Sequence, residues 1–162
     1  MREAEFSEWA RQEQYRLVRT AFLLCGDLHR AEDLVQDALV KVALRWERLR
    51  DGHPEAYARR VVVNSNISWW RRHRRETAAD PREQPAEPPD TDTTLVVRRA
   101  LARLTPNQRA VVVLRHLDDL TERETAEVLG VSIGTVKSQN AAALARLREG
   151  APELQDLIGR TS

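Results

Sequence analysis

Apolar positions along the chain recur on a helical period in nearly every segment that has a pattern, and no stretch alternates in the strand manner for long. From Phe6 to Cys25 they fall on one face and stop at Gly26, a residue suited to a left-handed C-terminal cap. Asp27 can cap the next helix, whose stripe runs through Ala31, Leu34, Val35, Ala38, Leu39, Val42 and Trp46. Its opposite face shows Asp33, Gln36, Asp37 and Lys41. A third helix is expected after Asp51-Gly52, with Pro54 in its first turn, running to about Arg75. About four more helices follow residue 94. Two have explicit start signals, a capping box with proline at Thr105-Pro106-Asn107-Gln108 and a second box at Thr121-Glu122-Arg123-Glu124. Gly130 closes the helix begun at Glu122, Ser132 can cap the next, and Gly150 ends it. The expected fold is all-α.

The pattern breaks from Glu76 to Thr94. This stretch holds four prolines, six acids and no large apolar residue, so nothing in it could be buried to offset chain entropy. It reads as a flexible acidic, Pro-rich linker between two small helical domains, 1–75 and 95–150, with 151–162 as a tail. Net charge changes meaning once divided in this way. Residues 1–75 carry 15 basic and 11 acidic side chains, 76–94 one and six, and 95–162 ten and eight, giving +4, −5 and +2. Two mildly basic blocks flanking an acidic connector suit a protein that touches nucleic acid at two places. Of the 26 basic residues only Lys41 and Lys137 are lysine, a bias that fits a GC-rich genome.

Other chemistry is sparse. The longest apolar runs, such as Ala21 to Cys25, fall far short of the roughly 18 residues that cross a bilayer, so no membrane insertion is expected. The first residues lack an apolar signal core, which points to the cytoplasm. Cys25 is the only cysteine and lies in an apolar run, so a buried, inert thiol is favoured over a redox role. His29, His53, His73 and His116 show no metal-ligand spacing, and there is no Gly-rich phosphate loop or nucleophile motif. No metal or cofactor is expected, and no catalytic group is visible.

The segment Thr121 to Leu147 is the most specific signal. A helix-turn-helix needs a small residue where two helices cross, a glycine in the turn, and a branched apolar residue facing inward from the second helix. Ala126, Gly130 and Val136 meet these demands, with Leu129 and Val131 as apolar flanks. The stretch from Thr121 to Ser138 resembles the C-terminal promoter-reading module of extracytoplasmic-function sigma factors. Ala31-Glu32-Asp33-Leu34-Val35-Gln36-Asp37 resembles the segment by which their N-terminal module grips core RNA polymerase. Tyr57-Ala58-Arg59-Arg60-Val61-Val62-Val63-Asn64-Ser65 resembles the adjoining helix that engages the −10 element, and the wording from Val61 to Trp70 resembles an actinobacterial subgroup. The matches lie in the right order and cover nearly the whole chain.

The resemblance implies three contacts. Docking on the clamp of the polymerase falls on Asp33, Gln36 and Asp37, with Leu34 contributing in part. Contact with the −10 element falls on Arg60, Asn64 and Ser65, aided by the loop from about Arg50 to Glu55. The run Arg71, Arg72, Arg74 and Arg75 supplies charge for phosphates. At least one of Trp69 and Trp70 is expected in the core, and the strand-melting aromatic role of housekeeping relatives is not transferred to them. Contact with the −35 element falls on the start of the last helix, at Ser132, Gly134, Thr135, Lys137, Ser138 and Gln139. A helical wheel turns Ile133, Val136, Ala143, Leu144 and Leu147 inward. Ala141 and Ala142 stand where relatives often carry arginine, and Asn140 falls inside the apolar stripe. Recognition there is expected to lean on backbone contacts and groove shape as well as side chains. The resemblance implies core polymerase and promoter DNA as partners and admits an anti-sigma factor. Two other readings fit less of the chain. A free-standing helix-turn-helix regulator leaves residues 1–75 unexplained, and a sigma mimic would carry a receiver domain.

Overall fold

Residues 1–74 and 92–150 are described in a computed structural model, with side chains from residue 95 in the second stretch. Among them the only regular structure is helical. The chain divides between Ala86 and Glu87 into two compact units. Arg75, most of the stretch read as a linker and the tail 151–162 lie outside the described residues.

The first unit comprises α1 (Arg2–Cys25), α2 (Leu28–Leu44), a single turn α3 (Trp46–Leu49) and α4 (Pro54–His73). Helices α1, α2 and α4 pack pairwise around Ala21, Leu24, Val35, Val42, Val62 and Val63. Their punctuation follows the residues. Gly26 caps α1 at φ 74°, and the Asp27 carboxylate accepts the His29 and Arg30 amides at 3.0 and 3.4 Å. Cys25 is buried, and its thiol donates to the Asp27 carbonyl at 3.2 Å. Two boundaries differ from expectation. α1 begins at Arg2 rather than Phe6, and α2 ends at Leu44, so Trp46 starts α3 instead of closing the α2 stripe. The ring is buried all the same, because Phe6 and Trp9 of α1 meet it at 5.5 Å each.

Two polar side chains hold the start of α2 to the end of α4. Asn66 is 1 % exposed and accepts a hydrogen bond from Arg30 Nη2. The Arg30 guanidinium also lies 3.3 Å from the Trp69 ring centroid and 5.5 Å from that of Trp70. Burial pushes the Arg30 pKa below its ordinary value, and neighbouring Cys25 and Asp27 oppose that shift. Replacing Asn66 with alanine strips the half-buried Arg30 charge of its buried acceptor. We expect a loss of about 1.5–3 kcal/mol in stability, read by thermal or urea unfolding.

The second unit comprises α5 (Asp92–Ala102), α6 (Pro106–Val112), α7 (Glu122–Leu129) and α8 (Ile133–Gly150). α5 thus begins inside the stretch assigned by composition to the linker. Thr105 and Gln108 close the expected capping box at 3.2 Å in each direction. Buried Arg109 ties α6 to the end of α5, donating to the Leu101 and Leu104 carbonyls at 2.9 and 3.4 Å. Past Val112 the helix widens into a π-helical turn, Val113–Leu117, closed by Asp118 N–H to the Val113 carbonyl at 2.9 Å. Thr121 caps α7, accepting the Glu124 amide at 3.1 Å, and Gly130 ends it at φ 65°.

Candidate nucleic-acid interface

Three of the four residues expected to grip polymerase, Asp33, Leu34 and Asp37, share a cleft with three of those expected to meet the −10 strand, Asn64, Ser65 and Arg72. Asp33, Leu34, Asp37 and Lys41 of α2, with Arg30, form one wall of a cleft of about 500 Å³; Asn64, Ser65, Ser68, Trp69 and Arg72 of α4 form the other. The helical period explains the arrangement. Asp33, Gln36 and Asp37 are exposed because Ala31, Leu34, Val35 and Ala38 turn the other stripe of α2 into the core. Leu34 is 8 % exposed, so it lines the cleft from its floor. Gln36 stands outside the cleft on the same exposed face. On α4, Ala58, Val62, Val63 and Asn66 point inward, which leaves Asn64 and Ser65 half-buried at the cleft and Arg60 exposed.

α4 ends in a cationic tip. Arg71, Arg72 and Arg74 are exposed; Arg75 lies outside the described residues. Basic groups at a helix C-terminus are also favoured by the helix dipole. The tryptophans before it are both half-buried. His73 stacks on Trp69 at 4.0 Å and 14°, while Arg30 lies 3.3 Å from the same centroid. Two groups so near one centroid must occupy opposite faces, so neither face of Trp69 is open for a base. Trp70 meets Trp69 edge-on at 5.1 Å. Sequence reasoning missed Arg30 and Asn66, whose partners lie more than thirty residues away.

In the second unit, Val111, Ala126 and Val136 form one buried cluster with Leu129 packed against it. That is the crossing a helix-turn-helix requires, built on two of its three diagnostic residues, with Gly130 between them in the turn. Val131 and Ile133 are 39 % and 40 % exposed, so the expectation that Ile133 faces inward is corrected. Ile133 opens the first turn of α8, ahead of the point where Val136, Ala143 and Leu147 enter the core. Asn140, out of place in an apolar stripe, is half-buried with its Oδ1 3.0 Å from His116 Nε2 on the π-helical turn.

The α8 start presents Ser132, Gly134, Thr135, Lys137 and Ser138 exposed, with Gln139 half-buried. Its hydroxyls are engaged locally. Ser132 Oγ accepts the Thr135 amide at 3.1 Å and lies 2.9 Å from Thr135 Oγ1, while Ser138 donates to the Thr135 carbonyl at 3.1 Å. Lys137 and Gln139 are therefore the long side chains left to reach outward. Gly134 is exposed there, in open space where a Cβ would meet only Ser132 Oγ at 3.8 Å. Among the described residues no cluster of histidine, cysteine or carboxylate could hold a metal, and no helix is long and apolar enough to cross a membrane.

The family described as Sigma-70 region 2 matches residues 9–76, and Sigma-70, region 4 matches residues 94–147. The RNA polymerase sigma-E factor of Streptomyces coelicolor is 43 % identical over 152 residues, covering 90 % of this chain and 85 % of the relative. The ECF RNA polymerase sigma factor SigM of Mycobacterium tuberculosis is 34 % identical over 147 residues, with 88 % and 74 % of the two chains covered. The chain belongs to the ECF sigma factors. Among solved structures, the sigma factor RpoE of Bartonella quintana in complex with the anti-sigma factor NepR superposes with a TM-score of 0.71 at 26 % identity, covering 89 % of this chain and 94 % of that one. As a sigma factor the protein is a non-enzymatic subunit that directs core RNA polymerase to specific promoters and initiates transcription.

Proposed function

We propose that the two units divide promoter recognition between them. Residues 1–75 form the module for core polymerase and the −10 element, 76–94 the linker, whose last three residues already belong to α5, and 95–150 the module for the −35 element, with 151–162 as a tail. The carrying observation is the shared cleft, in which Asp33, Leu34 and Asp37 stand across from Asn64, Ser65 and Arg72. Clamp docking through Asp33, Leu34, Gln36 and Asp37 thereby places the −10 strand beside α4 at the moment the holoenzyme forms. Arg60, Arg71, Arg72, Arg74 and Arg75 hold phosphates, while Asn64 and Ser65 read a base edge.

At the −35 element, Ser132, Gly134 and Thr135 bring the α8 N-terminus close to the backbone, and Lys137, Ser138 and Gln139 reach into the groove. With alanine at positions 141 and 142, no bidentate arginine–guanine pair forms there, and shape carries more of the discrimination. The linker, acidic and Pro-rich, threads the RNA-exit region of the polymerase. The protein works in the cytoplasm, and the complex of the Bartonella relative with NepR supports an anti-sigma factor as a further partner.

The test is a set of −10 variants, one base changed at a time, transcribed with wild-type protein and Asn64→Ala. Loss of about tenfold discrimination at one position, with the others unchanged, is the expected result, within the range of a paired amide–base contact. An unchanged profile would remove Asn64 from the reading face.

A further inference from the structure

We propose that the first turns of α1 position the loop that enters α4, so that Glu5 and Trp9 act on −10 selectivity without touching DNA. The inference rests on the reading above, extended by what the family resemblance implies, that the loop from about Arg50 to Glu55 aids contact with the −10 element.

The opening turn of α1 has no burial to hold it. Residues 1–5 are exposed, and the Met1 cap makes no side-chain bond. What the segment does have is a set of ties to α3 and the residue after it. Arg2 pairs with Glu47 at 2.9 Å and Glu5 with Arg50 at 3.0 Å. Phe6 meets Trp46 edge-on at 5.5 Å and 76°, Trp9 meets Trp46 at 5.5 Å, and the two α1 rings lie 6.0 Å apart. Four side chains in two turns of one helix therefore converge on three residues, Trp46, Glu47 and Arg50.

The converse dependence is stronger. α3 has four residues, and a helix that short has no stability of its own, so its place is set by what it packs against. Trp46, 8 % exposed, is its buried anchor. The chain leaving it is tied back to it, with Arg50 N–H to the Trp46 carbonyl at 2.8 Å and Gly52 N–H to the Leu49 carbonyl at 3.0 Å. Asp51, Gly52 and His53 then stand exposed before Pro54 starts α4. A shift of the Trp46 ring carries this loop with it. The ion pairs, on exposed side chains, contribute little each, and the rings carry most of the constraint.

The test compares Trp9→Ala, Trp9→Phe and Glu5→Arg by transcription from the same single-base −10 set, alongside binding to core polymerase. Trp9→Ala should lower discrimination at the loop-read position by about threefold, the size of one aromatic contact, with core affinity unchanged and Trp9→Phe restoring it. Glu5→Arg not only removes the ion pair but sets a like charge 3.0 Å from where Arg50 was held, so it should push residue 50 away and shift the same position, and it carries the test if Trp9→Ala does not fold. Asp51→Ala with His53→Ala is the control. If that pair moves the profile while the α1 variants only scale transcription uniformly, the positioning role is overturned and the loop assignment stands. If the pair leaves the profile unmoved, the loop does not read DNA and the inference falls with it.

Discussion

Replacing Arg71 and Arg72 together with alanine is expected to cut open-complex formation about tenfold at physiological salt while leaving core binding intact. Both side chains are exposed at the end of α4, so their removal should change stability by no more than about 0.5 kcal/mol. The cost falls instead on the melted strand. Each phosphate neutralised on a single strand contributes about 0.7 to the slope of log K against log salt, so losing two should make the dependence shallower by about 1.4. Heparin-resistant complexes counted across a salt series give both quantities. An equal loss of core binding would place these arginines on the polymerase instead.

The second large effect is expected from Asp37→Arg. Asp37 is exposed on α2, held outward by Leu34 and Ala38 on the buried stripe, and it faces Arg72 and Lys41 across and along the cleft. Where α2 docks on core through this carboxylate, as proposed, reversing the charge puts like charges in contact at a cost of several kcal/mol, so core affinity should fall at least about thirtyfold. The fold should persist, because no core residue is altered. At saturating core concentration the variant should still open its promoter, since the α4 wall of the cleft is unchanged. Fluorescence anisotropy with labelled protein and purified core measures the first claim; retained affinity would move docking off this helix.

Much of this architecture was legible because it is local. Gly26 and Gly130 end helices, and Asp27, Thr105 and Thr121 begin them, through bonds that span no more than a few residues. The Ala126–Gly130–Val136 spacing announced a crossing that the structure builds with Val111. What escaped was non-local. Nothing around Arg30 signals that its guanidinium will be spent on Asn66 and Trp69, and nothing around Asn140 signals His116. Trp46 continued the α2 period on paper, yet the chain turns at Arg45 because Phe6 and Trp9 supply a separate place for the ring. Ile133 failed for the reverse reason, since a wheel assigns a face without knowing that the first turn of α8 projects beyond its neighbours. At the candidate site, residue identities came from resemblance and side-chain period. That the docking carboxylates and the −10 residues line one cleft came only from how α2 and α4 pack.

The central claim is that this chain, added to core polymerase, selects promoters by two spaced elements. Run-off transcription with purified core, this chain and sheared genomic DNA from its source, with RNA 5′ ends mapped, addresses it most directly. Discrete starts sharing two upstream elements at constant spacing are the expected result. Absence of starts together with absence of binding to core would contradict it.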